Sequence, residues 1–299
     1  MGQQVDSYEI IDSQIHVWEP NSKARPWDEA FAQSRASFIK FADPNTIERA
    51  LGAMDAVGVR KALVTSFHLY HDIGYAREAV ERYPLRFALV PHVELTEPNP
   101  EDLMSGYSAE PGIVALRISL MGKGDENFER LYQGKYKRLL DSIASTGLPL
   151  MVLAAGHVKA IAWIAEHYPQ TQLIVDHFGM IQGPNRQPPE DRFSGLEDLL
   201  SLAAFPSIAI KVTGLPTLSR EGFPFRDLWP ALRTAIDRFG AERLMWGSDF
   251  SRTRPMHTYA DAINYLKYSD ALSETERRWI LSSTAQKLIG WHRKPLPSP

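Results

Sequence analysis

Arg243-Leu-Met-Trp-Gly-Ser-Asp-Phe250 is a short apolar run that breaks at Gly247 and at once delivers a carboxylate. Strands of a parallel sheet are buried on both faces and read as continuous apolar runs, so an acid at the C-terminal tip of one is costly unless chemistry uses it. Asp249 is therefore read as a catalytic residue, against the plainer alternative of an acid that only caps the following turn. Working back along the chain, seven further runs of this kind end in turn or polar signals, over residues 8–17, 60–67, 87–93, 113–119, 148–154, 172–177 and 207–213. Helical patterns lie between or after them over residues 44–58, 75–83, 136–145, 157–168, 196–204, 229–239, 259–268 and 274–290, several closed by Gly or Pro. Eight strands alternating with helices predict an α/β fold, a single (β/α)8 TIM barrel. A doubly wound open sheet is the competitor, but the first strand is not followed by the G-x-G-x-x-G loop of a dinucleotide fold.

With 299 residues, one large barrel or two ordinary domains would fit, and the absence of a repeat or linker favours one domain over 1–299, with the barrel in 7–291 and a frayed Pro-rich tail in 292–299. Residues 18–43, rich in Trp, Pro and charge, read as an irregular active-site loop. A hydrophobic share of 44% with 23% charged residues describes a globular protein with a full core. No run approaches the ~18 apolar residues of a membrane span, which argues against a membrane protein. A net charge of −3, from 33 basic and 36 acidic residues, gives no general field for nucleic acid, so an anionic ligand must be met by local groups. There is no cysteine, hence no disulfide, thiolate nucleophile or Cys-ligated zinc. The N-terminal residues lack an apolar signal core, and a cytoplasmic protein is expected.

In a barrel the C-terminal strand ends converge on one pocket, so Gln14, His16, Arg117, His177, Lys211 and Asp249 would meet although they are scattered through the chain. Alternation along the first strand places Asp12, Gln14 and His16 on one face. Singly, a His on an apolar strand is more often a hydrogen-bonded core residue, and a lone Lys or Arg can simply snorkel. Together, six polar groups at five strand ends would each carry a desolvation cost of ~1–3 kcal/mol or more unless they satisfy one another and a ligand.

Asp12-Ser-Gln-Ile-His16, Val175-Asp-His-Phe-Gly179, Lys211-Val-Thr-Gly214 and Leu244-Met-Trp-Gly-Ser-Asp249 resemble the motifs of the amidohydrolase superfamily. The similarity is greatest to the amidohydrolase-2 branch, which holds 2-pyrone-4,6-dicarboxylate lactonase and sugar-acid lactonases such as L-fuconolactonase, and it runs from Ile11 to about Trp291. The resemblance implies that Asp249 deprotonates a water that attacks a carbonyl or lactone, with His177 and His16 beside it. Arg117 and Lys211 would flank Asp249 and keep it ionised, or would instead bind substrate carboxylates or stabilise the oxyanion. Two softer stretches add candidates for substrate binding. His68 and Tyr70, with His71, follow the second strand, and Arg252 and Arg254 directly follow the acid. The plainer readings are an aromatic-packed loop and solvated loop charges.

The departures from the family pattern matter as much. The first-strand motif is usually D-x-H-x-H, and here Gln14 replaces the first His; the fifth strand carries no inward His, since His157 falls outside it. Gln is a poor zinc ligand and a good hydrogen-bond partner. No required cofactor is therefore expected; the alternative is one divalent metal, zinc or manganese, held by His16, His177 and Asp249. The leading reading is a hydrolase that opens a carboxylate-bearing lactone or related cyclic ester, with a small anionic molecule as its partner and neither nucleic acid nor membrane. The competitors are a metal-dependent decarboxylase of an aromatic or unsaturated acid and a non-catalytic binding barrel.

Overall fold

The computed structural model describes residues 8–36, 39–70, 72–122, 124–183, 188 and 190–291. The expected tail 292–299 and His71 lie outside the described residues. All eight expected strands form: β1 Ile10–Ile15, β2 Val59–Thr65, β3 Phe87–Val90, β4 Leu116–Ser119, β5 Leu150–Leu153, β6 Leu173–Val175, β7 Ile208–Thr213 and β8 Leu244–Gly247. Every ladder between them is parallel, and the strands follow chain order in two sheets, β1-β2-β3 and β4-β5-β6-β7-β8. Most strands are shorter than their apolar runs, the ladder stopping before Pro91 in β3, Asp176 in β6 and Ser248 in β8.

The two sheets meet along both margins. Between β3 and β4, parallel bridges join Leu89 to Ile113 and His92 to Arg117. Between β8 and β1, the Asp249 N–H donates to the Gln14 carbonyl at 3.0 Å. One apolar cluster takes Ile11, Leu63, Ala88, Met151, Ile174, Ala209 and Met245 from seven strands and Ala115 from just before β4. The larger cluster lies between the opposite strand faces and the helices, as the doubly buried character of the runs requires. Gly247 lets β8 pass close to its neighbours: a Cβ there would stand 2.7 Å from both Ser13 Oγ and Thr213 Oγ1.

The expected helices appear with recognisable ends. Ile47–Val57 starts on Thr46, which accepts from Arg49 N, and ends at left-handed Gly58; Tyr259–Lys267 carries a capping box of Thr258 and Asp261. The pattern over 274–290 resolves into Glu274–Arg278, a π turn and Thr284–Ile289. Four α-helices were not expected, Glu29–Arg35, Pro100–Ala109, Glu126–Tyr132 and Phe250–Thr253. The first corrects the reading of residues 18–43 as wholly irregular: Asp28 caps it by accepting from Phe31 N at 2.8 Å, and it buries none of its residues, so it has no apolar stripe to read. Trp18 and Phe41 of the same segment pack with Phe67 and Leu69 beyond β2. Among the described residues no helix is long and apolar enough to cross a membrane.

Candidate active site

The site begins with a break in β1. Simple alternation would put Asp12, Gln14 and His16 on one face, but the pairing with β2 shifts between Asp12 and Ile15. Asp12 therefore turns away from the other two. Its Oδ1 accepts from Gln14 N at 3.0 Å and Ser248 N at 2.9 Å, and its Oδ2 accepts from Ser248 Oγ and, at 2.7 Å, from the Tyr259 hydroxyl. Asp12 fastens the first strand to the last. Burial outweighs these four donors and raises its carboxyl to about 6.

Gln14 and His16 face the tips of β6, β7 and β8. His16 Nδ1 lies 2.7 Å from the Thr65 carbonyl, which can only accept, so in the neutral ring Nε2 is an acceptor. That Nε2 is 3.8 Å from Asp249 Oδ1. His177 Nδ1 is 4.0 Å from Asp249 Oδ2. Burial pushes both imidazoles down to about 4, so they are neutral at physiological pH. His177, Phe178 and Asp249 adopt left-handed backbone with φ of 53°, 57° and 51°. Such a conformation costs non-glycine residues about 1–3 kcal/mol each.

Asp249 precedes the short helix Phe250–Thr253 yet its side chain makes no capping bond. Its Oδ2 instead accepts from Arg252 Nε, while Oδ1, fully buried, has no hydrogen-bond partner among the described residues. Burial raises the Asp249 carboxyl, but Arg252 and the facing imidazoles outweigh it and hold it below the ordinary carboxylate range. Arg252 Nη2 continues to Gln182 Oε1 at 2.6 Å, and Gln182 Nε2 donates to the carbonyls of Thr213 and His177.

Arg117 and Lys211 do not flank Asp249, contrary to expectation; they converge on Asp176, fully buried at the end of β6. Arg117 Nε donates to Asp176 Oδ2 at 2.6 Å and Lys211 Nζ lies 3.0 Å from Oδ1. Burial opposes ionisation of Asp176, but the two cations override it and hold it far below the usual range. Lys211 Nζ also reaches Gln14 Oε1 at 2.5 Å and Met151 Sδ at 3.4 Å, and burial lowers its own proton affinity. Among the described residues the side-chain hydrogen bond of Arg117 is made by its Nε. Asp176 was missed in the sequence because His177, its neighbour, drew the reading; its signal is an acid directly after the apolar run Leu173-Ile-Val175.

The softer candidates stand further out. His68 Nδ1 pairs with Glu94 at 2.9 Å and its ring meets His92 edge-on, with centroids 4.3 Å apart. Tyr70 spends its hydroxyl on the backbone of Glu19. Arg254 bonds the Asp43 carbonyl and lies over the Trp18 ring at 5.3 Å. His157, outside β5 as expected, stacks on Phe128.

For a divalent metal, the one set of three His or carboxylate side chains among the described residues whose donor atoms all lie within 4.8 Å is His68, His92 and Glu94. His16, His177 and Asp249 do not draw together to that limit. Asp249 Oδ2 is taken by Arg252 and His177 Nε2 by Gln14, and three cations stand nearby. That donor set, as arranged, does not fit a tight dication site.

A site that joins a buried carboxylate to two neutral imidazoles, with an arginine close by, holds the groups that proton transfer at a polarised carbonyl calls for. The chain belongs to the amidohydrolase family, which it matches over residues 11–291, and it is a hydrolase. It is 25% identical over 259 residues to L-fucono-1,5-lactonase of Burkholderia ambifaria, covering 84% of this chain and 83% of that one. It is 24% identical over 290 residues to 4-sulfomuconolactone hydrolase of Hydrogenophaga intermedia, covering 93% and 88%. Solved structures share the fold. A putative 2-pyrone-4,6-dicarboxylic acid hydrolase from Pseudomonas putida superposes with a TM-score of 0.72 at 22% identity, over 96% of this chain and 99% of that one. A zinc-bound amidohydrolase from Burkholderia multivorans gives 0.79 at 18% identity, over 94% and 99%. A manganese-bound dihydroxybenzoic acid decarboxylase from Polaromonas gives 0.62 at 14%, over 96% and 98%.

Proposed function

We propose that the protein opens a lactone or related cyclic ester bearing a carboxylate, using Asp249 as general base, with no essential metal. The two sheets, joined at both margins around one shared inner cluster, are read as a single (β/α)8 barrel, with the site at its C-terminal mouth. The observation that carries the reading is the pair of acceptors at the site: Asp249 Oδ1, buried with no hydrogen-bond partner among the described residues, and His16 Nε2, 3.8 Å away. A water held there directs one O–H to each and turns a lone pair outwards to a carbonyl carbon. As it attacks, Asp249 takes its proton and the carbonyl oxygen gains charge; collapse then breaks the bond to the ring oxygen, which leaves as a hydroxyl with the proton that Asp249 returns. Arg117, through its Nη groups, holds the substrate carboxylate. The lactones named for the relatives support this substrate class.

The test is a screen of sugar lactones, muconolactones and pyrone carboxylates with protein dialysed against chelator. Turnover is expected to persist without metal. In Asp249→Asn, which keeps shape but not the proton acceptor, kcat should drop ~10²–10⁴-fold with substrate still bound. Lactone turnover restored only by zinc or manganese would overturn the metal-free mechanism, and release of carbon dioxide from an aromatic acid with metal present, without lactone turnover, would favour a decarboxylase. Wild-type turnover by Asp249→Asn would remove the base.

A further inference from the structure

The position of the proton on His177 follows from a chain of bonds that starts at Lys211. An ammonium only donates, so the end of the Gln14 amide 2.5 Å from Lys211 Nζ is its oxygen. Met151 Sδ at 3.4 Å and Asp176 Oδ1 at 3.0 Å complete the shell of this fully buried ammonium and leave it no freedom to turn elsewhere. With its oxygen committed, Gln14 presents its NH2 to His177, 3.4 Å from Nε2. An amide NH2 has no lone pair to offer, so Nε2 must accept, and the single proton of the neutral ring sits on Nδ1. Nδ1 is buried, has no hydrogen-bond partner among the described residues, and stands on the Asp249 side of the ring.

The two imidazoles are thus set in opposite senses. At His16 the Thr65 carbonyl takes the Nδ1 proton and leaves an acceptor facing Asp249; at His177 the Gln14 amide leaves a donor there. Ester hydrolysis needs this asymmetry, acceptors around the water and a donor at the oxygen that becomes the oxyanion.

We propose that Lys211, acting through Gln14, is a positioning residue that fixes the tautomer of His177 and so makes His177 Nδ1–H the hydrogen-bond donor to the carbonyl oxygen of the substrate. Gln14 at this position is then not a vestige of a lost metal ligand but the part that transmits the polarity of Lys211 to the ring. The role of the donor rests on the lactonase reading above, whereas the tautomer does not.

The test is ring 15N NMR of histidine-labelled, full-length protein without substrate, with the His177 signals identified by their loss in His177→Asn. Wild type should carry the proton on Nδ1. Gln14→Glu is isosteric, still accepts from Lys211, and offers His177 an acceptor in place of a donor, so the proton should move to Nε2. kcat for a lactone should fall ~10–100-fold with KM changed less than threefold, since the lost bond forms in the transition state. Lys211→Met should give a mixture of tautomers; if that variant does not fold, Gln14→Glu decides alone. A wild-type proton on Nε2, or a tautomer unmoved in Gln14→Glu, overturns the positioning role. A tautomer that moves while kcat does not overturns the donor role. Failure of wild type to open any lactone, with the tautomers as stated, would count against the lactonase reading and leave the positioning role standing.

Discussion

His16 presents its unprotonated Nε2 to Asp249 Oδ1 across 3.8 Å, because the Thr65 carbonyl holds the ring proton on the far side. The pair works only while the ring is neutral. Burial pushes His16 and His177 down to about 4, so kcat/KM should stay level through the range where an ordinary histidine titrates and fall only as the pH approaches 4. An acid limb centred near 6.5 would show that the rings keep their ordinary proton affinity and that the acceptor pair is not built as described.

The same groups set how stability changes with pH. A histidine whose folded pKa lies below its unfolded one binds fewer protons in the folded state, so between about 4 and 6.5 acidification favours unfolding. Each of the two rings contributes on the order of 1 kcal/mol per pH unit across that window. Asp12, raised to about 6, acts in the opposite sense from 3.8 upwards and offsets one of them. Urea midpoints should therefore decline from pH 6.5 to 4, and Asp12→Asn should steepen the decline.

Arg117 pairs with Asp176 through Nε, and in the proposed mechanism its Nη groups hold the substrate carboxylate. Arg117→Ala should raise KM for carboxylate-bearing lactones ~10-fold or more and affect uncharged lactones less. It should also lower the melting temperature, since Asp176 keeps only Lys211 as a counter-ion and breaking a buried pair costs about 3–5 kcal/mol. Equal losses on charged and neutral substrates would assign Arg117 to the framework alone.

The frame was legible in the sequence and its partnerships were not. The eight apolar runs and their polar tips stand out because both-face burial leaves a local signature, as in Arg243 to Asp249. Which cation meets which acid depends on register between strands. Arg117 is 59 positions from Asp176, and nothing local says that it pairs there and not with Asp249. The irregularity in β1 is equally silent, since no Gly or Pro marks the point where Asp12 parts from Gln14 and His16. Arg252 was closer to hand: three residues after Asp249 on a helical turn is within reach, and its pairing could have been read from that spacing.

Tyr259 is one of the four donors to Asp12 and touches no group proposed to meet substrate. Tyr259→Phe should cost about 1–3 kcal/mol of stability, seen as a lower urea midpoint, with kcat and KM within twofold of wild type. A large fall in kcat would mean that the fastening of β1 to β8 also tunes the reaction.

That fastening has a meaning for how the protein comes into being. Asp12 and the Ser248 N–H that holds it are 236 positions apart, so during synthesis the first strand leaves the ribosome long before its closing partner exists. Gln14 and His16 wait with it, and Asp249 is among the last of the reactive groups to emerge. A chain released early, anywhere before β8, has neither Asp249 nor the clasp of Ser248 on Asp12. On the proposed mechanism, hydrolytic power is thereby withheld until synthesis is all but complete.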